Sequence, residues 1–333
     1  MDIVLLCASL IVFGIIMYVI LDGFDLGIGI IFPWAPTNCC KNKMMSSIAP
    51  VWDGNETWLI YGTGVLFAAF PKAYSIIIPV LYSPIMLMVI SLIFRGLAFE
   101  FRLKAKKSRW VWDWSFTIGS YITAFAQGTI IGVIVEGIDT DSSMKYDCIG
   151  DFLLNKFTIT TGFAMIAAYS LLGSTWVIMK TDGITKQWAQ NITKPIVTMV
   201  FLYIMVISFK SPYQHNFIMK RWFEFPDCLI LFPIPFLTGI SIWFILFGIK
   251  KQYDYLPFIS SVSLFILCFF ALIVSLWPYI IVPNMTIWDA AAPPETLQFI
   301  SIIVCISLPI VIGYSIFVYS LFKGKVTEKD NLY

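Results

Sequence analysis

An all-α integral membrane fold follows from three features of this 333-residue chain. Hydrophobic residues make up 59% of it and charged residues 13%, against roughly 45–50% and about 25% in a soluble domain. The apolar residues gather into segments near the ~20-residue length that carries a helix across ~30 Å of hydrocarbon. These segments also lack the ~10-residue alternation of a membrane barrel, and helices are the open elements that satisfy their own backbone in lipid. The chain, 1–333, reads as a single transmembrane helical domain without a soluble module, long linker or internal repeat.

Nine spans are predicted. The first, about 3 to 31, lacks the basic start of a cleavable signal peptide and is too long for its apolar core, so it reads as a permanent helix. The second, 49 to 70, opens on Pro50-Val51-Trp52-Asp53-Gly54-Asn55-Glu56-Thr57-Trp58, with Pro50 suited to a first helical position. The third runs 74 to 99. The fourth, 113 to 135, begins at the interfacial stretch 108–114, in which Trp110 and Trp114 suit an anchor. The fifth, 158 to 179, contains Gly173-Ser174-Thr175-Trp176, a small and polar packing site. The sixth, 195 to 209, is short; 228 to 249, 257 to 281 and 297 to 322 complete the set.

Orientation comes from the basic residues. The loops after spans 1, 3, 5 and 7, with the C-terminal tail, hold fifteen of the 22, including Lys41, Arg102, Arg109, Lys186, Lys251 and Lys325. The opposite loops hold six, and Arg95 is the remaining one. The positive-inside rule therefore places the N-terminus on the outer, periplasmic side and the C-terminus in the cytoplasm. A net charge of +2 in short separate clusters implies no nucleic-acid partner.

Ionisable groups at membrane depth carry the functional signal, since each costs about 2.5–3.5 kcal/mol near a helix centre on insertion scales. Asp22 and Asp25, three apart, lie on one face of the first helix, with Gly23 and Gly27 forming a notch nearly opposite. That helix is expected inside the protein. Asp53 and Glu56 share a face of the second helix with Trp52; first-turn capping accounts for one carboxylate, not for two with an asparagine and two indoles. Protonatable side chains leading inward from one membrane face are what a proton path requires, and desolvation makes a neutral, proton-carrying state accessible. Arg95, near the end of the third helix, needs a carboxylate partner, and Glu100 is expected to form a structural ion pair with it.

The chemistry missing from the sequence is also informative. The seven cysteines include no CxxC and no partner histidines at metal spacing, so no metal site is expected, although Cys148 and Cys228 lie on the same side and a disulfide between them is open. The single histidine, His215, falls in an outer loop, and no predicted span offers one for haem. P-loop, nucleophile-elbow and zinc motifs are absent, so no catalytic residue is assigned.

Asp22-Gly-Phe-Asp25-Leu-Gly27, Ile48-Ala49-Pro50-Val51-Trp52-Asp53-Gly54-Asn55-Glu56-Thr57-Trp58, Arg95-Gly-Leu-Ala-Phe99-Glu100-Phe-Arg102, Trp112-Asp113, Phe116, Gly119-Ser120, Gln127-Gly128 and Tyr169-Ser-Leu-Leu-Gly173 resemble, in order and spacing, subunit II of cytochrome bd-type quinol oxidases. The resemblance covers roughly residues 20 to 180. It implies a nine-helix subunit of the bacterial inner membrane in a pseudosymmetric heterodimer with a homologous subunit I. That partner would bind haems b and d, oxidise quinol and reduce O2 to water with protons from the cytoplasm, so this chain would ligate no cofactor itself. By resemblance, Asp25 and Asp53 look like members of the cytoplasmic proton path at the subunit interface, and Trp58 like a residue near the oxygen-access route. Glu56 stands where relatives can carry a glutamine, and either adds a protonatable group or pairs with Arg95. A structural quinone, held by subunit II in some relatives, and small accessory subunits are left open. The alternative reading is a proton-coupled secondary transporter, which would show broken helices at the midplane and work without a haem-bearing partner; a purely structural scaffold would tolerate loss of every carboxylate.

Overall fold

The structure is a computed structural model that describes residues 2–105, 107–138, 155–226 and 228–326. It is an all-α bundle in which eight helices, or helix pairs joined by a short turn, are long and apolar enough to cross a membrane. The helices are α1 (Ile3–Ile31), α2 (Asn38–Ile48), α3 (Trp52–Ala69), α4 (Pro71–Val80), α5 (Tyr82–Lys104), α6 (Arg109–Glu136) and α7 (Lys156–Lys180), followed by α8 (Gly183–Lys210), α9 (Asn216–Phe223), α10 (Cys228–Leu231), α11 (Pro233–Lys250), α12 (Leu256–Leu276), α13 (Ile287–Ala290) and α14 (Pro294–Leu321). The second predicted span is α3, whose 18 residues reach about 27 Å at 1.5 Å per residue. Its polar first two turns set it apart from the eight.

The predicted segments needed adjustment where polarity or proline intervened. The third splits at Leu81 into α4 and the spanning α5, with Pro79 inside the end of α4. The sixth is a 28-residue helix, not a short one, and its first three turns were hidden by Lys186, Gln187, Gln190 and Lys194 ahead of Pro195. The eighth stops at Leu276; Tyr279–Ile281 then pairs antiparallel with Met285–Thr286 as a small β-hairpin. The polar stretch before α3 holds one more helix, α2, capped by Thr37 Oγ1 accepting from the Cys40 N–H at 3.2 Å. The Cys148–Cys228 pairing lies outside the described residues.

Hydrogen bonds at the two ends of the bundle sort the loops as the charge pattern sorts them. At the basic end Arg102 bonds Asp113 and Asn42, Trp176 Nε1 donates to Ser47, Val326 N–H donates to Lys180 O, and Lys325 bridges Asp182 and Asp254. At the other end Trp288 bonds Asp2, Lys72 donates to the Asp289 carbonyl, and Ala292 N–H to the Ala69 carbonyl. Trp110 and Trp114 stand exposed at the basic end, as interfacial anchors do.

α1 is the axis of the bundle. From Asp22 to Phe32 every residue is buried, among α3, α6, α7 and α12. Close approach makes this possible: a Cβ on Gly27 would meet the Tyr169 carbonyl, and one on Gly173 would meet the backbone of Gly27 and Ile28, so α1 and α7 cross backbone to backbone. Gly128 does the same for α6 against Thr161 and Gly162 of α7. The main apolar core, with Phe24 stacked on Trp176 at 4.0 Å, closes around this crossing.

Candidate functional site

Asp22 and Asp25 are both fully buried near the basic end of α1. Burying two carboxylates demands compensation, and α3 and α5 supply it directly. From α5, Arg95 Nη2 lies 2.6 Å from Asp22 Oδ1, both side chains wholly out of contact with solvent. The same Nη2 is 3.6 Å from Glu56 Oε2 on α3, a carboxylate that retains 26% exposure. One cation thus ties three helices, and its planar fork suits it to serve several acceptors at once.

Asp25 is held differently. Asn55 Nδ2, on α3, donates to Asp25 Oδ2 at 2.8 Å and to the Leu21 carbonyl at 3.2 Å, while Asn55 Oδ1 accepts from the Tyr319 hydroxyl of α14 at 2.8 Å. The other oxygen, Asp25 Oδ1, is buried without a hydrogen-bond partner among the described residues, as are both Asp22 oxygens, of which Oδ1 has the Arg95 ion pair. Asp22 therefore has a cation in contact, whereas Asp25 has one amide. On the far side of Asp22, one turn along α1, Gln127 Nε2 of α6 donates to the Tyr18 hydroxyl at 2.7 Å, while Gln127 Oε1 accepts from the Tyr169 hydroxyl of α7. These buried polar groups lie along the same stretch of α1, with Asn55 and Gln127 as amides on either side of it.

The sequence-predicted residues divide clearly. Asp22, Asp25 and Glu56 come together. Asp53 does not join them; it is exposed in the first turn of α3, on the side away from Asn55, at the basic end. Trp58 is fully buried, edge-on to Phe13 at 5.8 Å and to Tyr61 at 5.7 Å. Trp52 stacks on Phe99 at 4.8 Å and fixes α3 against α5. The expected Arg95–Glu100 pair is replaced by Arg95 with Asp22 and Glu56. Five residues along a helix turn the side chain by about 140°, which leaves Glu100 exposed on the opposite face of α5.

The residues missed from the sequence are those that orient the cluster. Asn55 sat inside the motif as an unassigned polar residue, and Tyr18 had a local signal four positions before Asp22. Tyr319, 264 positions from its partner Asn55, had none. Among the described residues no group of three His, Cys, Asp or Glu is placed to hold a metal ion. His215 lies at the end opposite the carboxylates, with Nε2 2.9 Å from the Glu136 carbonyl, a position unlike that of a haem-ligating helix histidine.

Comparison with known proteins identifies the family. The profile of the family described as cytochrome bd terminal oxidase subunit II matches residues 3–322. Cytochrome bd ubiquinol oxidase subunit 2 of Bacillus subtilis (strain 168) is 28% identical over 319 residues, covering 93% of this chain and 93% of that protein. Cytochrome bd-I ubiquinol oxidase subunit 2 of Escherichia coli (strain K12) is 27% identical over 353 residues, covering 95% and 93%. The structure of bd oxidase from Geobacillus thermodenitrificans contains a chain of the same fold, with a TM-score of 0.80 at 14% identity over 97% of this chain and 99% of that one. With a profile that runs nearly end to end over a multi-pass helical membrane fold, the chain belongs to the cytochrome bd terminal oxidase subunit II family.

Proposed function

We propose that this chain, as subunit II of a cytochrome bd-type quinol oxidase, stabilises a haem-bearing subunit I and supplies it with protons from the cytoplasm. Nine spans, with α3 as the second, put the N-terminus in the periplasm and the basic end in the cytoplasm of a bacterial inner membrane. Haems b and d, quinol oxidation and the reduction of O2 to water are assigned to subunit I. When bound there, the haems supply the redox chemistry, and this chain's residues handle protons.

The observation that carries the reading is the buried pair Asp22 and Asp25, the first of which shares a single guanidinium with the partly exposed Glu56. Asp53 stands exposed at the basic end, Glu56 is partly exposed one turn further in, and Asp22 and Asp25 are closed off behind them. Protons at Asp53 and Glu56 exchange with the cytoplasmic side. Arg95 is in direct contact with Asp22. Asp25, with its charge uncompensated by any direct cation and one oxygen unpartnered, is the group suited to take up and release a proton. Trp58, buried behind this group against Phe13, is retained as a residue of the oxygen-access route.

The test is quinol oxidase turnover of the assembled complex. Asp25→Asn is expected to lower turnover about tenfold or more, within the range a positioned proton-transfer group contributes, and Asp53→Asn to lower turnover or haem retention. Full activity and full haem content in both variants would sink the proton-path reading.

A further inference from the structure

We infer that Tyr319, on the last helix, is a positioning residue that sets the proton equilibrium of Asp25 by fixing the Asn55 amide between them. The inference rests on the proton-path reading for its importance to turnover, but the coupling itself is a matter of geometry. An amide has two ends, and here each is committed. Asn55 Nδ2 faces Asp25 Oδ2 at 2.8 Å, and Asn55 Oδ1 faces the Tyr319 hydroxyl at 2.8 Å. A donor on the carbonyl end polarises the amide and strengthens the N–H that reaches the carboxylate. It also opposes a flip that would turn the carbonyl oxygen toward Asp25, where it has no proton to offer the anion.

Tyr319 is placed for this by the helix with least to hold it. α14 is the least buried of the eight apolar spans. It crosses the start of α3 at two points, Tyr314 beside Gly54 and Tyr319 beside Asn55. The Tyr319 ring packs edge-on to Trp176 at 6.3 Å. Just beyond it the chain is strapped to the basic end: Lys180 Nζ donates to the Phe322 carbonyl at 2.9 Å, Val326 N–H to the Lys180 carbonyl at 2.8 Å, and Lys325 contacts Asp182 at 2.7 Å and Asp254 at 2.8 Å. The strap holds the end of α14, and Tyr319 transmits that position to α1.

The surroundings of Asp25 leave Tyr319 room to matter. Its charged neighbours are Asp22 on α1, Glu56 on α3 and Arg95 on α5, with Arg95 in direct contact with the other two carboxylates. From α7, Tyr169 packs on Gly23 and bonds Gln127. From α2 and α6, Lys41 and Asp113 pair with each other beyond Asp25, beside Phe32. From α12, Phe258 packs on Phe24 of α1 and Phe265 on Tyr169 of α7, and both are apolar. The Tyr319–Asn55 pair is thus the hydrogen-bonded link from Asp25 to the last helix.

The carboxyl infrared band of Asp25, identified by its loss in Asp25→Asn, can be titrated in the intact complex. Tyr319→Phe keeps the ring and removes the hydroxyl. Its titration midpoint is expected to rise by about half a pH unit, roughly a threefold change in the proton equilibrium, with haem content unchanged. Asn55→Ala, which removes the donor itself, is expected to raise it further. A Tyr319→Phe midpoint equal to that of the unaltered protein, with Asn55→Ala shifted, overturns the inference. So does loss of haem or of the complex in Tyr319→Phe, which would make the hydroxyl structural. Turnover indifferent to Asp25→Asn would fail the proton-path reading alone, because the infrared midpoint decides the coupling without it.

Discussion

Arg95 is the residue on which the polar centre depends. Asp22 and Glu56 reach it from two other helices, and Asp22 has nowhere else to place its charge. Removing one member of a buried ion pair costs about 3–5 kcal/mol because the remaining charge is stranded. Arg95→Ala is therefore expected to lower the stability of the complex by about that amount, read as the midpoint of heat-induced loss of the haem absorption, or to prevent assembly. Arg95→Lys keeps a charge but not the fork, and is expected to fall between the two. The sequence announced Arg95 by its cost in lipid and offered two partners; Glu56 meets it, whereas Glu100 is close in the chain but faces away. Proximity along a helix is a poor guide beyond four residues, where the rotation no longer brings side chains together.

At the scale of elements, the α1–α7 crossing and the C-terminal strap are the joints to test. Gly27→Ala places a methyl against the Tyr169 carbonyl, so the helices must part; overpacking of this kind costs about 1–3 kcal/mol or more, measurable in the same thermal assay. The strap responds to pH through two groups outside the membrane. Burial pushes Asp254 up, but hydrogen bonds from Lys186 and Lys325 outweigh it and hold its carboxyl below the usual range. Hydrogen bonds to Asp182 and Asp254 hold the Lys325 ammonium above its usual range. A depressed carboxyl contributes stability at pH values above its unfolded value and loses it as pH falls through the folded one. A raised ammonium contributes below its unfolded value and loses it as pH rises through the folded one. Amide exchange at Val326 is thus expected to show protection that stays flat through the neutral range, after correction for intrinsic rates, and falls at both extremes. High salt should weaken it, since exposed pairs contribute only about 0.2–1 kcal/mol each.

For the whole molecule, the expectation concerns the division of labour with subunit I. This chain's single histidine sits at the end opposite the carboxylates. The subunit purified alone is expected to show no Soret band, whereas the assembled complex shows haem bands that respond to quinol. A stoichiometric Soret band from the isolated chain would refute that division. A visible spectrum with and without quinol also separates the oxidase reading from a transporter, which would work without a haem-bearing partner.

The sequence by itself determined the solvent, the helical class and the sidedness of the charges, because the cost of unpaired backbone and of ions in hydrocarbon is local and can be read along one strand of text. It also singled out Asp22, Asp25 and Glu56, which the fold brings together around Arg95, and the motif that carries them pointed to the family. Tertiary structure decided everything that depends on rotation and long-range meeting. It turned Asp53 outward and Asn55 inward within one helical turn, and exchanged Glu100 for Asp22 as the partner of Arg95. It also brought Tyr319 to Asn55 across 264 positions. Hydropathy records how much a residue costs in lipid, but not which neighbour meets that cost, and the neighbours are chosen by how α1, α3, α5 and α14 pack.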